Sequence, residues 1–222
     1  NIGVEGAIAL AKVLPQSQVT DLDLQLNKID AKNSTTAMME ALAQSQVTDL
    51  DLANYNSNKI EPDSIITSMA KALNIEVYND NKIGADGVIA LAKALPQSQI
   101  TSLNLKQNYT GDKGIMALAE ALPQTQITNL NLERNGMSAE SAIALAKALP
   151  KSQVTNLNLA GNNISAEGII ALVEVLPQSQ ITEIDLSDSK IGAEGVTALA
   201  KALPQSQVIA LFLWNNNIGA EG

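Results

Sequence analysis

The chain has 222 residues, 45% of them apolar but only 2% aromatic, with no cysteine, no histidine and a formal net charge of -9. Lacking cysteine, it has no disulfides or thiolate chemistry, and lacking histidine it is without the commonest general base and the commonest metal ligand. An acidic chain with a single arginine, Arg134, has no basic stripe for nucleic acid, and no run of 18 apolar residues is present to span a membrane.

In chain order, Asn1-Ile-Gly-Val-Glu-Gly6 opens a helix predicted near Gly3 to Leu14, and the same pattern returns at Asn217-Ile-Gly-Ala-Glu-Gly222. Neither end shows the polar cap that seals a solenoid, so a fragment of a longer array is expected. The strand Val19-Thr-Asp-Leu-Asp-Leu24 follows, then a helix near Thr35 to Ala43 and the strand Val47-Thr-Asp-Leu-Asp-Leu52. The next turn, Ala53 to Asn58, is three residues longer than its counterparts, so a loop should bulge there. Between Leu73 and Asn81 there are seven residues where Leu95 to Asn108 has twelve. Either five residues are missing from that repeat, which is the reading preferred here, or the rung is irregular around Ile75 to Tyr78. From Gly84 onward the copies are regular. Their first strand residues, Leu103, Leu130, Leu157, Ile184 and Leu211, recur every 27 residues, and a period of that size means a solenoid.

Each position in a copy has a physical reason. In Leu157-Asn-Leu159 the two leucines point to one face of a strand, and Asn156, Asn158 and Ala160 are expected on the other. Three residues on comes Asn162, with counterparts Asn27, Asn58, Asn108, Asn135 and Asn216; such an amide can bond the backbone of its own turn and of the neighbouring copy. In Gly192-Ala-Glu-Gly195 the glycines permit a tight bend, and the carboxylate sits in the first helical turn, where the helix dipole favours it. Val196, Leu199 and Leu203 give the helix an apolar stripe, and Pro204 is expected to stop it.

This pattern, L-x-L-x-x-N-x-I followed by G-x-x-x-x-L-x-x-x-L, resembles the leucine-rich repeats of the ribonuclease-inhibitor-like class over essentially the whole chain. The resemblance implies one domain of about eight repeats over 1–222, a right-handed β-α horseshoe with a parallel sheet on the concave face and helices on the convex face. It also implies ligands bound inside the curve.

Function is then expected from the positions the framework leaves free. Strand alternation assigns Asp21, Asp23, Asp49, Asp51, Asn104, Lys106, Asn131, Glu133, Asn158, Asp185, Phe212 and Trp214 to the concave surface as candidate partner-binding residues. Asp21 should face Asp49, and Asp23 should face Asp51. Like charges at about 5 Å repel by very roughly 1 kcal/mol in water, which points to a basic partner segment or to a calcium ion, the acidic patch otherwise being a solvated face. The Asn104, Asn131, Asn158 row could serve binding or form a stabilising amide ladder. Phe212 and Trp214, the sole phenylalanine and the sole tryptophan, read as binding anchors unless a further repeat covers them.

No phosphate loop, nucleophile motif or zinc spacing appears, so the expectation is a non-enzymatic, cofactor-free, monomeric protein-protein interaction module. Cytoplasmic location is expected, as for cytosolic regulators of this repeat class or for proteins that bacteria deliver into host cytosol. The alternative is a regulator of the Ran GTPase-activating type. Those proteins place an arginine on a repeat loop, and Arg134 follows a strand at a comparable place.

Overall fold

The computed structural model describes residues 3–25, 38, 41–53 and 83–220. Seven short strands form one parallel sheet in chain order: β1 (Asp21–Asp23), β2 (Asp49–Asp51), β3 (Ser102–Asn104), β4 (Asn129–Asn131), β5 (Asn156–Asn158), β6 (Glu183–Asp185) and β7 (Ala210–Phe212). The described helices are α1 (Gly3–Val13), α2 (Gly84–Ala94), α3 (Gly111–Ala121), α4 (Ala139–Ala148), α5 (Ser165–Glu174) and α6 (Gly192–Ala202). The architecture is a β-α solenoid. Parallel strands sit about 4.8 Å apart, whereas packed helices need roughly 8–10 Å. One helix per strand therefore curves the stack, with the sheet on the inside.

The core is a set of aliphatic columns. Leu50, Leu103, Leu130, Leu157 and Ile184 are in register across the strands and buried, as are Leu52, Leu105, Leu132, Leu159 and Leu186 two residues on. Helix stripes such as Ile115, Leu118 and Leu122 close the core from the other side. Aromatics are not needed because each rung repeats the same small volume.

Neighbouring rungs are joined by polar columns as well. Asn135 is 1% exposed; its Nδ2 donates to the Leu105 carbonyl of the preceding rung at 2.8 Å, and its Oδ1 accepts the N–H groups of Asn108 and Thr110. Asn162 and Asn216 repeat this arrangement, and Asn108 keeps its bond to Leu52. The turn asparagines therefore act as expected. Ser189 interrupts the column, because its shorter side chain reaches only carbonyls, at Leu159 and Ser187.

Two further columns were not anticipated. In the linkers after the helices, Ser98 Oγ donates to the Leu95 carbonyl at 2.9 Å and accepts the N–H of Ile100; Ser45, Ser152 and Ser179 make the same two bonds. Thr101, Thr128, Thr155 and Thr182 each donate Oγ1 to the carbonyl of the preceding threonine at 3.2–3.4 Å. The α-helix ends before Pro204 as expected, but the return to the next strand is not immediate. The chain does not turn back at Pro204 but makes one further 3-10 turn, Leu203–Gln205, and becomes extended only at Ser206. Proline is tolerated at the start of that turn because the N–H it lacks has no obligatory partner there.

β2 and β3 are immediate neighbours in the sheet: Leu50 pairs with Leu103, and the Thr101 N–H donates to the Thr48 carbonyl at 2.8 Å. No strand lies between them. The loop expected at Ala53 to Asn58, the helix from Thr35 and the irregular repeat up to Asn81 fall wholly or largely outside the described residues, as do Asn27 and Asn58.

The helix starts show what glycine supplies. Gly84, Gly111 and Gly192 enter α2, α3 and α6 with φ of +56° to +66°, a region that L side chains disfavour. Ser165 holds the same place before α5 at φ +64°. A left-handed conformation costs an L residue about 1–2 kcal/mol, partly offset by the greater unfolded-chain freedom of glycine. Ser138, the counterpart at α4, is instead extended at φ -100° and caps the helix through Oγ to the Glu140 N–H. Ser165→Gly should therefore raise unfolding stability by about 0.5–1 kcal/mol, whereas Ser138→Gly should lower it by a few tenths. Paired chemical denaturation of the two variants checks the opposite signs.

Asp112 on α3 ties the next repeat down. Its Oδ1 accepts the Ser138 N–H at 2.9 Å and the Ser141 hydroxyl at 2.6 Å. Burial alone would raise its carboxyl pKa, but the bonds from Ser141 and Ser138 outweigh that and hold it below the usual range. A depressed folded pKa contributes stability above the unfolded value, and this is lost as pH falls through the folded one. The stability difference between the native chain and Asp112→Asn should therefore be constant above about pH 5 and shrink below about pH 4. Urea midpoints across pH 2.5–7 read this directly; a difference that grows on acidification would contradict it.

Candidate functional site

Alternation along each strand places two rows of side chains on the concave face. The first row is Asp21, Asp49, Ser102, Asn129, Asn156, Glu183 and Ala210; the second is Asp23, Asp51, Asn104, Asn131, Asn158, Asp185 and Phe212. Register across every strand pair keeps the rows straight, including Asp21 opposite Asp49 and Asp23 opposite Asp51. Both facing acidic pairs are thus present. From β3 to β7 the surface forms an open trough of about 470 Å³ with a floor of asparagines, bounded at one end by Glu183, Asp185 and Phe212.

The second row has a structural duty. In Asp23, Asp51, Asn104, Asn131, Asn158 and Asp185 the Oδ1 accepts the N–H two residues ahead, at 2.8–3.1 Å. A short side chain with an acceptor oxygen is needed wherever the strand ends and the turn begins. This gives a framework reason for acidic residues at Asp23 and Asp51 that strand alternation alone does not reveal. Asn131 and Asn158 exchange no side-chain hydrogen bond, so their amides do not form the ladder that the sequence allowed. Their Nδ2 groups are left facing the trough.

The remaining candidates divide. Asp21 and Asp49 are exposed, each bonded only to the preceding threonine hydroxyl. Asp51 is more heavily engaged, because its Oδ2 accepts Gln25 Nε2 at 2.8 Å and Asn104 Nδ2 at 3.1 Å. Lys106 Nζ sits 2.9 Å from Glu133 Oε2, so these two reach the face as an ion pair. Phe212 and Trp214 are 46% and 60% exposed on the last strand and its turn, and Phe212 lines the trough. At the third position of each rung the chain has already left the strand. The small residues Ala53, Ala160 and Ser187 are buried in the turn there, contrary to the outward placement expected of Ala160, whereas the longer Gln25, Lys106 and Glu133 are half-buried and Trp214 is exposed. Ile209, 88% exposed, takes the threonine place on the last rung. It is the one large exposed side chain near the site that strand alternation did not single out, and its break from the threonine column was the available signal.

Arg134 does not project freely. Its backbone is left-handed at φ +53°, its Nε lies 3.9 Å from Glu133 Oε1, and its stem covers Gly161, where a Cβ would come within 2.5 Å of Arg134 Cγ. Among the described residues no cluster of acidic side chains could hold a metal ion, and no helix is long and apolar enough to cross a membrane.

A family model described as "Leucine Rich repeat" matches residues 79–92, 154–173 and 180–200. No curated protein matches the chain. Among solved structures, "Leiomodin-1 Actin-Binding Site 2 (ABS2)" is similar with a TM-score of 0.53 and 23% sequence identity, covering 58% of this chain and 78% of that one. At that identity the likeness shows the fold alone.

The double use of Asp51 separates two roles by mutation. Asp51→Asn keeps an oxygen for the Ala53 N–H and removes a like charge facing Asp23, but its Nδ2 replaces the Oδ2 that accepts Gln25 Nε2 and Asn104 Nδ2, so it should cost about 1 kcal/mol or less. Asp51→Ala loses the cap as well and should cost about 1–3 kcal/mol. Thermal melts of the two variants at low and high salt are the check, the cost of the Asn variant growing as salt screens the repulsion it relieves.

Proposed function

We infer that this array of leucine-rich repeats is a protein-protein interaction module whose concave strand surface is the binding face. The observation that carries the reading is the trough itself. The sheet presents amide groups of Asn131 and Asn158, carboxylates at Glu183 and Asp185 and the exposed Phe212 ring on one continuous face, with Trp214 exposed on the turn just beyond. Aromatic anchors within a polar surround are the arrangement that most often dominates protein interfaces. The acidic rungs Asp21, Asp23, Asp49 and Asp51 favour a partner segment with basic residues. We further assign the repeats to the ribonuclease-inhibitor-like class, supported by the 27-residue spacing with a full helix in each regular copy. We place the module in the cytoplasm as a monomer.

Binding is favoured over catalysis because the concave carboxylates of Asp23, Asp51 and Asp185 hold backbone N–H groups on an open surface, where nothing excludes water. A GTPase-activating role would require Arg134 to reach a partner's nucleotide, and its packing over Gly161 argues against that. The leiomodin domain is named for binding actin; the same ligand is not carried over to this chain.

A photo-crosslinking side chain placed at Asn131 on the floor should give discrete partner adducts in cytosolic extract. The same group at the exposed convex residue Lys147 should not. Equal labelling from both faces would overturn the assignment.

A further inference from the structure

We propose that the trough ends in a subsite for one arginine side chain of the partner, formed by Glu183 and Asp185 on β6 with Phe212 on β7, and flanked by Trp214 on the turn beyond. The proposal rests on the concave face being the binding face and names the group read at this end of it.

The register supplies the geometry. Asp185 pairs with Phe212 across adjacent strands, so a carboxylate and a ring rise side by side from the same face, about 4.8 Å apart at the backbone. Glu183, two residues before Asp185, faces Ala210, whose methyl leaves the space above it open. Trp214 lies two residues beyond Phe212, its carbonyl taking the Asp188 N–H at 2.9 Å. Each acid has one oxygen engaged: Glu183 Oε2 accepts Asn156 Nδ2 at 3.1 Å, and Asp185 Oδ1 accepts the Ser187 N–H at 2.9 Å. The second oxygens, Glu183 Oε1 and Asp185 Oδ2, have no hydrogen-bond partner among the described residues. Lys106 stands on the far side of β4 and β5 and is paired with Glu133, and among the described residues no cation forms an ion pair with Glu183 or Asp185.

Two uncommitted carboxylate oxygens beside exposed aromatic faces select a cation that is flat and weakly hydrated. A guanidinium can stack on a ring while its N–H groups reach the acids; an ammonium, more strongly hydrated and without a plane, does this less well. The opposite end of the face is a built-in contrast. Asp21, Asp23, Asp49 and Asp51 supply equal or greater charge, with no aromatic residue in either row there. Nor is concave exposure a property of the last strand alone, since Asn131 and Asn158 are half-exposed with strands on both sides.

Trp214, the only tryptophan, reports on this site alone. Its fluorescence should change saturably on titration with the capped tripeptide acetyl-Gly-Arg-Gly-amide at about 0.1 M salt, where charges are screened beyond about 10 Å, with the lysine peptide binding more weakly. The citrulline peptide, which keeps the shape without the charge, should bind about tenfold more weakly or not at all. Glu183→Gln with Asp185→Asn, which retains the cap to Ser187, should weaken the arginine peptide about tenfold, equal to 1.4 kcal/mol. Asp21→Asn with Asp49→Asn should leave it within about twofold, because charges that distant are largely screened. A flat titration, equal binding of the citrulline or lysine peptide, or equal losses in the two double variants would overturn the arginine subsite. Face-specific crosslinking at Asn131 alongside such a failure would show that the concave face binds without it.

Discussion

A stack of near-identical rungs must bury the backbone of every turn, and each turn carries N–H and C=O groups that cannot be left without partners. The rest of the molecule depends on how this is met. Asn108, Asn135, Asn162 and Asn216 each link the turn of one rung to that of its neighbour, with Nδ2 donating and, for Asn135, Asn162 and Asn216, Oδ1 accepting twice. Leaving one such buried group unpaired costs about 1–3 kcal/mol, comparable to much of the margin by which a domain is stable. The aliphatic columns provide the driving force for stacking, while the asparagine column fixes the register.

That register is also what makes a surface. Because strands pair without slip from β1 to β7, every second side chain falls into one of two straight rows, and a one-residue slip would turn the leucines outward. The second row is constrained twice, since it must cap the turn and also face solvent. Asparagine and aspartate satisfy both demands, which is why the floor is polar without any ligand having to be invoked. Phe212 cannot supply the capping oxygen and is 46% exposed. The exposed aromatics are therefore the more informative feature of the face, and the acidic rungs less so.

The repeat rule is broken at the exposed end of this face. Phe212 replaces an Asx cap, Trp214 replaces small or charged turn residues, and Ile209 replaces a threonine whose hydroxyl would have continued a column. Ser165 breaks the rule at a helix start with no neighbouring group that explains it.

The period, the inward leucines, the outward rows, the facing aspartates and the asparagine turns were legible from the residues, because each follows from spacing within one copy and from the alternation of a strand. Tertiary structure alone decided what depends on two copies meeting. The Ser-Gln linkers read as featureless polar segments, yet Ser98 and its counterparts bind backbone groups, and the threonine column exists only between rungs. Likewise the burial of Ala160 and Ser187, the stem of Arg134 over Gly161, and the direct pairing of β2 with β3 across more than 50 residues of chain follow from stacking. A period describes one rung and its spacing; which polar atoms find partners, and which side chains remain for another protein, is settled by the distance of about 4.8 Å between one rung and the next.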